Sequence, residues 1–298
     1  MNLRRLLVLT LAFGLACATS RPSTIGSWHS ETGHGYLIVE PQRLVWFDPD
    51  HNDLSVGKVI EQHDELVTRH RGKIETVRLA LTNDHLVVTT GGTSETFLRA
   101  DHVPDAMSLS PLPLPAPADL PQATIEEVQK EMEKRNTEDQ QLLKAKAPSE
   151  KIREVEGAND VWLRGLTARY GWIDLKRFGP KTSGAAIVMA KHSADTRLLL
   201  AAVPLIERDM ASDRSFAQTF AIAYDQLRLS LGDKQRYGSQ VCSEGTEHPR
   251  LCAVEEPSHL DQRRTSIGLP PIADYLQLVS KMLFKGQPVS IPADGDLQ

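Results

Sequence analysis

One short segment of the sequence places amide, guanidinium, ammonium, carboxylate and phenol groups between two glycines. It reads Gly-Asp-Lys-Gln-Arg-Tyr-Gly-Ser-Gln over residues 232–240, after a long helical pattern and before the closely spaced Cys242 and Cys252. Amide, phenol and hydroxyl groups bind ligands through directed hydrogen bonds. The sequence contains no nucleophile elbow, glycine-rich phosphate loop or zinc-protease helix motif. The segment therefore supplies candidate binding residues: Gln235, Tyr237, Ser239 and Gln240.

The same side chains also have a structural interpretation. Most side-chain hydrogen bonds in proteins involve the main chain, so Gln235 and Gln240 could bond backbone groups across a buried loop. Tyr237 could be a core aromatic residue whose hydroxyl finds one partner. Gly238 is expected to adopt a positive φ in a turn. Both interpretations remain open from the sequence.

Helical periodicity places Asp139, Asn159 and His192 on faces that otherwise point towards a core. A buried carboxylate must be paired or protonated. One interpretation is a polar network that fixes helix packing. The other is a cleft in which His192 is a general base, oriented by Asp139 or Asp195. His192 and Asp139 are therefore the candidate catalytic residues, and Asn159 and Asp195 are candidate binding residues.

The cysteines predict a disulfide bond and no metal site. Removal of an N-terminal leader takes Cys17 with it or converts it, which leaves Cys242 and Cys252 as an even pair in an oxidising compartment. A zinc site of Cys242, His248 and Cys252 is the alternative, but its spacing matches no zinc motif. No metal and no cofactor is predicted.

The first residues predict export. Arg4 and Arg5 precede an apolar stretch that is too short to span a bilayer. Gly-Leu-Ala-Cys at residues 14–17 resembles a bacterial lipobox, although it departs from the usual pattern at the first two positions. The resemblance implies a signal peptide over 1–17, lipidation of Cys17, and a periplasmic or outer-membrane-attached lipoprotein held to the membrane by its lipid. Ala16-Cys17-Ala18 also fits ordinary signal peptidase cleavage.

Composition excludes one class of partner. The chain has 298 residues and a formal net charge of −5, with 40% hydrophobic and 24% charged residues. These proportions are typical of a soluble globular protein. Nucleic-acid binding normally requires a basic surface, so no nucleic-acid partner is expected.

Patterning divides the chain into a β and an α part. Short alternating segments between turn residues predict about six to eight antiparallel strands over 26–102, in a small barrel or sandwich that resembles lipocalin-like domains. Closely spaced prolines mark 103–121 as a linker. Helical periodicity covers 122–286, and 287–298 is a predicted flexible tail. The predicted fold class is α+β, with an antiparallel β domain followed by an all-α domain.

Local signals predict individual elements. A capping box at residues 124–127 predicts a helix start, and Gly171 is expected to end a helix near 150–170. Pro204 is expected to break or kink an apolar helix. Asp-x-Asp-x-Asn at residues 48–52 is similar to a calcium loop but lacks its glycine and its final glutamate, which favours a hairpin turn.

Several spaced motifs lie within residues about 130–280. They are Asp139-Gln140, Asn159 with Leu163, Tyr170-Gly171-Trp172, Lys191-His192-Ser193-Ala194-Asp195, the segment 232–240, and Arg263-Arg264 followed by Gly268-Leu269-Pro270-Pro271. Together they resemble the bacterial family catalogued as domain of unknown function 6624. Ser239 stands where that family usually has threonine, Ile173 where it has proline, and Gln226 where it often has arginine. The resemblance implies an α-helical domain and brings no assigned activity, substrate or cofactor.

Two functions remain compatible with the sequence. The first is an envelope-anchored module that binds a small-molecule ligand or a protein partner, or acts as a scaffold. The second is a hydrolase whose site joins His192, Asp139, Gln235, Tyr237 and Gln240. We place binding first because no familiar enzyme arrangement is present.

Overall fold

The N-terminal part of this computed structural model is a closed antiparallel barrel of consecutive strands. The structure describes residues 23–33, 35–50, 53–62, 65–70, 73–82, 84–193, 195–242 and 249–292. The strands are β1 (Gly26–Ser30), β2 (Tyr36–Glu40), β3 (Arg43–Asp48), β4 (Asp53–Gln62), β5 (Leu66–His70), β6 (Lys73–Thr82), β7 (His85–Thr90) and β8 (Thr93–Arg99). Pairing of β1 with β8 closes the barrel. The predicted antiparallel β domain is confirmed, as a barrel rather than a sandwich.

Alternating side chains fill the barrel. Trp28, Leu37, Leu44, Val77 and Leu86 are fully buried and belong to one apolar cluster. This is the inward set expected when every second residue of a strand faces the core. On the opposite face, Val45, Phe47, Leu54 and Val56 are buried in a second apolar cluster, so this side of the barrel is covered rather than exposed.

The turn between β3 and β4 lies at the end of the barrel that faces the helices. Asp48 and Asp53 are register partners at the end of this hairpin. The aspartate-rich run is therefore a hairpin turn, as the sequence indicated. Residues 51 and 52 lie outside the described part of the chain.

The proline-rich segment between the two parts packs against both of them. A short 3₁₀ helix, Asp105–Ser108, places Met107 among apolar side chains of the barrel. Further on, Leu112 and Leu114 pack on the core of the helices, and the Leu112 amide donates to the Arg197 carbonyl at 3.2 Å. The segment is thus held along the helical domain.

The C-terminal part is helical, as predicted. Its helices are α1 (Gln122–Lys144), α2 (Ser149–Tyr170), α3 (Leu175–His192), α4 (Thr196–Ser212), α5 (Ala217–Ser230), α6 (Leu260–Ser266) and α7 (Ile272–Leu283). Gly171 ends α2 with a φ of 74°, a value that favours glycine. A non-helical Gly179 introduces a kink in α3 just before Pro180.

Two local predictions are wrong. Helix α1 begins at Gln122 directly after Pro121, whose fixed φ of −57° sets the chain direction, and not at the predicted capping box. At Pro204 the predicted break is wrong, because α4 continues through this residue. The hydrogen bond that proline removes is offset because Leu198, Ala202 and Ile206 of α4 are fully buried.

The end of α5 contacts the barrel closely. Gly232 has a φ of 75°, and a Cβ there would lie 2.6 Å from the Arg69 carbonyl oxygen and 2.6 Å from the Lys58 nitrogen. Next to it, Lys58 Nζ contacts Asp233 Oδ1 at 2.5 Å. Only glycine fits this approach of helix end to barrel.

The predicted disulfide is present. Cys242 and Cys252 are bonded, with Cα atoms 4.7 Å apart. Both thiols are therefore used, which removes them from the alternative zinc site; His248 lies outside the described residues. Among the described helices, none combines the length and apolar character that a membrane span requires.

Candidate functional site

Three helices bring one imidazole and two carboxylates together. His192 at the end of α3, Asp139 of α1 and Glu156 of α2 place their ligand atoms within 4.8 Å of one another. His192 Nδ1 lies 3.3 Å from Asp139 Oδ2 and 3.5 Å from Glu156 Oε1. We call these three residues the His192 cluster. His192 and Asp139 are two of the polar residues that helical periodicity places on inward faces, and periodicity left open whether Asp139 or Asp195 contacts the imidazole.

Asp139 is the buried member of the His192 cluster. Its side chain is 3% exposed, and Gln140 Nε2 donates to its Oδ2 at 2.9 Å. Burial alone would raise the pKa of the Asp139 carboxyl. The His192 imidazole, by hydrogen bond and charge, and the Gln140 amide lower that pKa below its ordinary value. The carboxylate is therefore the favoured form of Asp139.

Glu156 and His192 face a less enclosed environment. Their side chains are 24% and 23% exposed. Burial, opposed by His192 and reinforced by the charge of Asp139, raises the pKa of Glu156. Within the described part of the chain, every polar contact of His192 uses Nδ1. Nε2 is therefore available to a ligand.

Lys191 precedes His192 at the end of α3. Burial lowers the pKa of its ammonium group. The ammonium group forms no hydrogen bond or ion pair with a residue that the structure describes. A half-buried ammonium group without such a partner favours the approach of a hydrogen-bond acceptor or an anionic group.

Asp195 caps a helix and does not orient His192, which was one of the roles that the sequence suggested for it. It caps α4, accepting from the Arg197 backbone N–H at 3.0 Å, and its carboxylate binds the Arg197 guanidinium at 2.9 and 2.8 Å. It is therefore Asp139, and not Asp195, that contacts His192. Arg164 links Asp195 to Asp160 of α2, at 3.8 and 2.8 Å.

Asn159 is connected to α1 and not directly to the imidazole. Arg135 Nη1 donates to Asn159 Oδ1 at 3.2 Å, while the Arg135 guanidinium lies 4.8 Å from the centre of the Trp162 ring. Arg135 Nε also contacts Glu131 at 2.8 Å. Asn159 thus helps to fix α1 against α2 beside the His192 cluster.

The His192 cluster opens on a cleft of about 1140 Å³ between the barrel turn and the helices. Both signs of charge line it, with an excess of carboxylates. Its lining residues are Asp48, Asp53, Glu150, Arg153, Glu154, Glu156, Gly157, Asp160, Val161, Arg164, Lys191, His192, Ser193, Thr196, Gln226 and Ser230.

The candidate binding residues of segment 232–240 form a different network. Its centre is Asp225 of α5, which is 0% exposed. Asp225 accepts backbone N–H groups of Arg236 at 2.7 Å, of Tyr237 at 3.0 Å and of Ser239 at 2.9 Å. Burial raises the pKa of Asp225, and these backbone donors oppose the rise. We call Asp225 together with the hydrogen-bonded residues of segment 232–240, namely Gln235, Arg236, Tyr237, Ser239 and Gln240, the loop network.

The amides of the loop network are occupied by the main chain. Gln235, also 0% exposed, accepts from the Gln240 amide and donates to the Gln240 and Cys252 carbonyls, at 2.9, 3.0 and 2.8 Å. Gln240 Nε2 donates to the Ile222 carbonyl at 3.2 Å. The structure therefore supports the interpretation in which both glutamines bond backbone groups across a buried loop.

Tyr237 and Ser239 complete this network. The Tyr237 ring packs on Phe220 and Tyr224 with centroids 5.9 and 5.6 Å away. Ser239 Oγ donates to the Ala221 carbonyl at 3.2 Å. Arg264, fully buried, donates to the Tyr237 carbonyl at 2.7 Å.

A single site joining His192 to Gln235, Tyr237 and Gln240 is therefore not what the structure contains. None of these three loop residues lines the cleft at His192. The physical reason is that helical phase shows which residues point inwards but not which inward faces meet. The polar residues separate into an open cluster and an enclosed network.

A family model matches most of the helical part of the chain. Residues 144–284 match the family of unknown function DUF6624. The DUF6624 region contains Glu156, His192 and the whole loop network, whereas Asp139 and Gln140 precede it. The family expected from the sequence motifs is thereby confirmed. No curated protein and no solved structure matches the chain.

Sequence reasoning missed Glu156 and Asp225. Glu156 follows a run of charged residues from Glu150, a composition typical of a solvent-facing helix surface. Asp225 did carry a signal, because it lies within the apolar stripe of α5, four residues after the buried Ala221. A lone carboxylate in such a stripe requires partners.

Proposed function

We propose that this protein is an exported, lipid-anchored envelope protein that binds a small polar ligand in the cleft at the His192 cluster. The observation that carries the binding role is the cleft itself, whose volume is about 1140 Å³. Ligand sites in proteins are typically concave spaces of about 300–1,000 Å³, so this cleft is slightly larger than a typical site. In its broader form, the proposal includes a protein partner that inserts a polar side chain into the cleft, or a scaffold role.

The lining chemistry indicates the character of the ligand. Lys191 and Arg164 supply cationic donors, while Glu150 and Glu154 supply carboxylates on the α2 side. The half-buried Lys191 ammonium would gain most from an anionic or acceptor group. A small ligand that carries both acidic and basic groups, such as an amino acid or a short peptide, fits this arrangement.

Two glycines of α2 provide a matched test. A Cβ added at Gly157, which lines the cleft, or at Gly165, which does not, would meet no atom within 4 Å. Gly157→Trp should therefore fill the cleft, and Gly165→Trp should leave it open, while both remain folded.

The measurement is a thermal-shift screen with amino acids and di- and tripeptides of different charge. We expect at least one compound to raise the Tm of the unmodified protein and of Gly165→Trp, but not that of Gly157→Trp. A panel that shifts no variant, or shifts Gly157→Trp equally, would contradict ligand binding in this cleft.

Export and lipid anchoring are a separate part of the proposal. They are supported by the leader pattern and by the lipobox-like residues before Cys17, which lie outside the described residues. Labelled fatty acid should enter the protein in living bacteria and be absent from Cys17→Ser. Incorporation that persists in Cys17→Ser would refute lipidation at this residue.

Hydrolysis is the second candidate function, and the His192–Asp139 contact favours it. A carboxylate at Nδ1 orients an imidazole so that Nε2 can accept a proton. Compared with the hydrolase site expected from the sequence, this site retains His192 and Asp139. It omits Gln235, Tyr237 and Gln240. His192→Ala should then keep the Tm and lose a cellular phenotype; unfolding of His192→Ala would instead assign it a structural role.

A further inference from the structure

We propose that the His192 cluster is a binding site for one divalent metal ion, with Zn²⁺ preferred over Mn²⁺, Ca²⁺ and Mg²⁺. Its ligands are Nδ1 of His192 and one carboxylate oxygen each from Asp139 and Glu156. These are three donor atoms of the types that Zn²⁺ takes in proteins, and they already lie within 4.8 Å of one another. This proposal is independent of the organic ligand proposed above.

The spacing of the donor atoms fits a tetrahedral ion. An ion about 2.0–2.1 Å from each donor places neighbouring donors about 3.3–3.4 Å apart. His192 Nδ1 lies 3.3 Å from Asp139 Oδ2 and 3.5 Å from Glu156 Oε1. The Asp139 and Glu156 oxygens lie within 4.8 Å of each other, so these two side chains must move closer together to complete the set.

The surroundings of the His192 cluster are those of an open metal site. Gln140 donates to Asp139 Oδ2 at 2.9 Å and so orients that ligand from behind, as outer-shell residues of metal sites do. Glu156 and His192 line the cleft. Three protein ligands with a fourth, open position is the arrangement of catalytic zinc sites.

The competing explanation is a protonated imidazole that pairs with the carboxylates without a metal. Such an ion pair would also hold Asp139 and Glu156 near His192. The two explanations differ in a measurable way. A metal ion must displace the proton from Nδ1. If the His192 cluster is a metal site, it binds one ion per chain, and the affinity depends on all three side chains.

The donor set indicates which ion is preferred. Imidazole favours zinc-like ions over the hard cations Ca²⁺ and Mg²⁺. The order of affinity of divalent first-row ions places Zn²⁺ above Mn²⁺. We therefore expect Zn²⁺ to bind more tightly than Mn²⁺, and both more tightly than Ca²⁺ or Mg²⁺.

The test uses tag-free protein stripped with EDTA and titrated with ZnCl₂ by calorimetry. Glu156→Gln and His192→Gln each remove one ligand, and Glu154→Gln is the matched control, because Glu154 lines the same cleft two positions away. We expect one site per chain, lost or weakened more than about a hundredfold in Glu156→Gln and His192→Gln. Glu154→Gln should weaken binding by less than about threefold, the effect of one screened charge.

A second readout protects the test against misfolding. Saturating Zn²⁺ should raise the Tm of the unmodified protein and of Glu154→Gln, and not that of Glu156→Gln. Equal Tm values of these proteins in EDTA would show that the variants are folded. Absence of 1:1 zinc binding, or equal binding by Glu154→Gln and Glu156→Gln, would overturn the metal site while leaving the cleft proposal standing.

Discussion

The His192 cluster and the loop network both bury a carboxylate in the helical part, but they satisfy it differently. Asp225 is 0% exposed and accepts three backbone N–H groups. Asp139 is 3% exposed and is contacted by the side chains of His192 and Gln140. One carboxylate is bound by the fold itself, and the other by side chains that can rotate.

This difference separates a structural role from a functional one. Backbone donors fixed around a carboxylate define a loop conformation and leave no coordination position for a ligand. Side-chain donors from two helices, Gln140 of α1 and His192 of α3, can exchange partners beside the cleft. Buried ionisable groups alone therefore do not mark a site; access to the cleft distinguishes the two cases.

The largest predicted effect tests the loop network. Asp225→Asn replaces one accepting oxygen by an NH₂ group that faces backbone N–H donors. At least one buried donor then loses its partner, so the free energy of unfolding should fall by about 3 kcal/mol. Urea unfolding followed by circular dichroism measures this. Asp119→Asn, at an exposed position of the linker, is the control and should be close to neutral.

The disulfide is expected to make the next largest contribution. It joins residues with a sequence separation of 10, and Cys252 supplies a carbonyl to Gln235. Replacing Cys242 and Cys252 together by alanine should lower the free energy of unfolding by about 2–3 kcal/mol. The same unfolding experiment measures the loss, and zinc affinity at the His192 cluster should be unchanged. A loss of zinc binding in this variant would show that the two regions are coupled.

Gln235→Leu should have a somewhat smaller effect than either. It keeps the approximate size of the side chain and removes three hydrogen bonds with the backbone of Gln240 and Cys252. A loss of about 2 kcal/mol is expected because buried backbone groups become unsatisfied. Faster hydrogen exchange at the Gln240 amide would locate the effect. Unchanged stability with loss of ligand binding would instead return Gln235 to the list of binding residues.

The sequence could predict which residues point inwards but not which of them meet. Periodicity identified Asp139 and His192, since each interrupts an apolar helical face. The barrel followed from alternating strands between turn residues. The separation of His192 from Gln235 depends on how α3 packs against α5, which is decided by shape across the whole core. The cleft also needs the turn at Asp48, which comes from the other half of the chain.

The smallest effect on stability is expected for Asp139→Asn, the counterpart of Asp225→Asn. Its partners are side chains, so an asparagine can rotate to keep its oxygen on the Gln140 amide and direct its NH₂ group towards Glu156 or His192, which lie within 4.8 Å. In EDTA the free energy of unfolding should therefore fall by about 1 kcal/mol, the size of one neutral hydrogen bond. Zinc affinity should fall strongly, because an amide oxygen is a poor ligand for this ion.

Equal losses of stability in Asp139→Asn and Asp225→Asn would remove the distinction between the two regions. That outcome would mean that the His192 cluster, like the loop network, mainly holds helices together. A small loss at Asp139 with a large loss at Asp225 would show the opposite: the fold depends on the carboxylate that the backbone encloses. The carboxylate that faces His192 would then be free to serve the cleft.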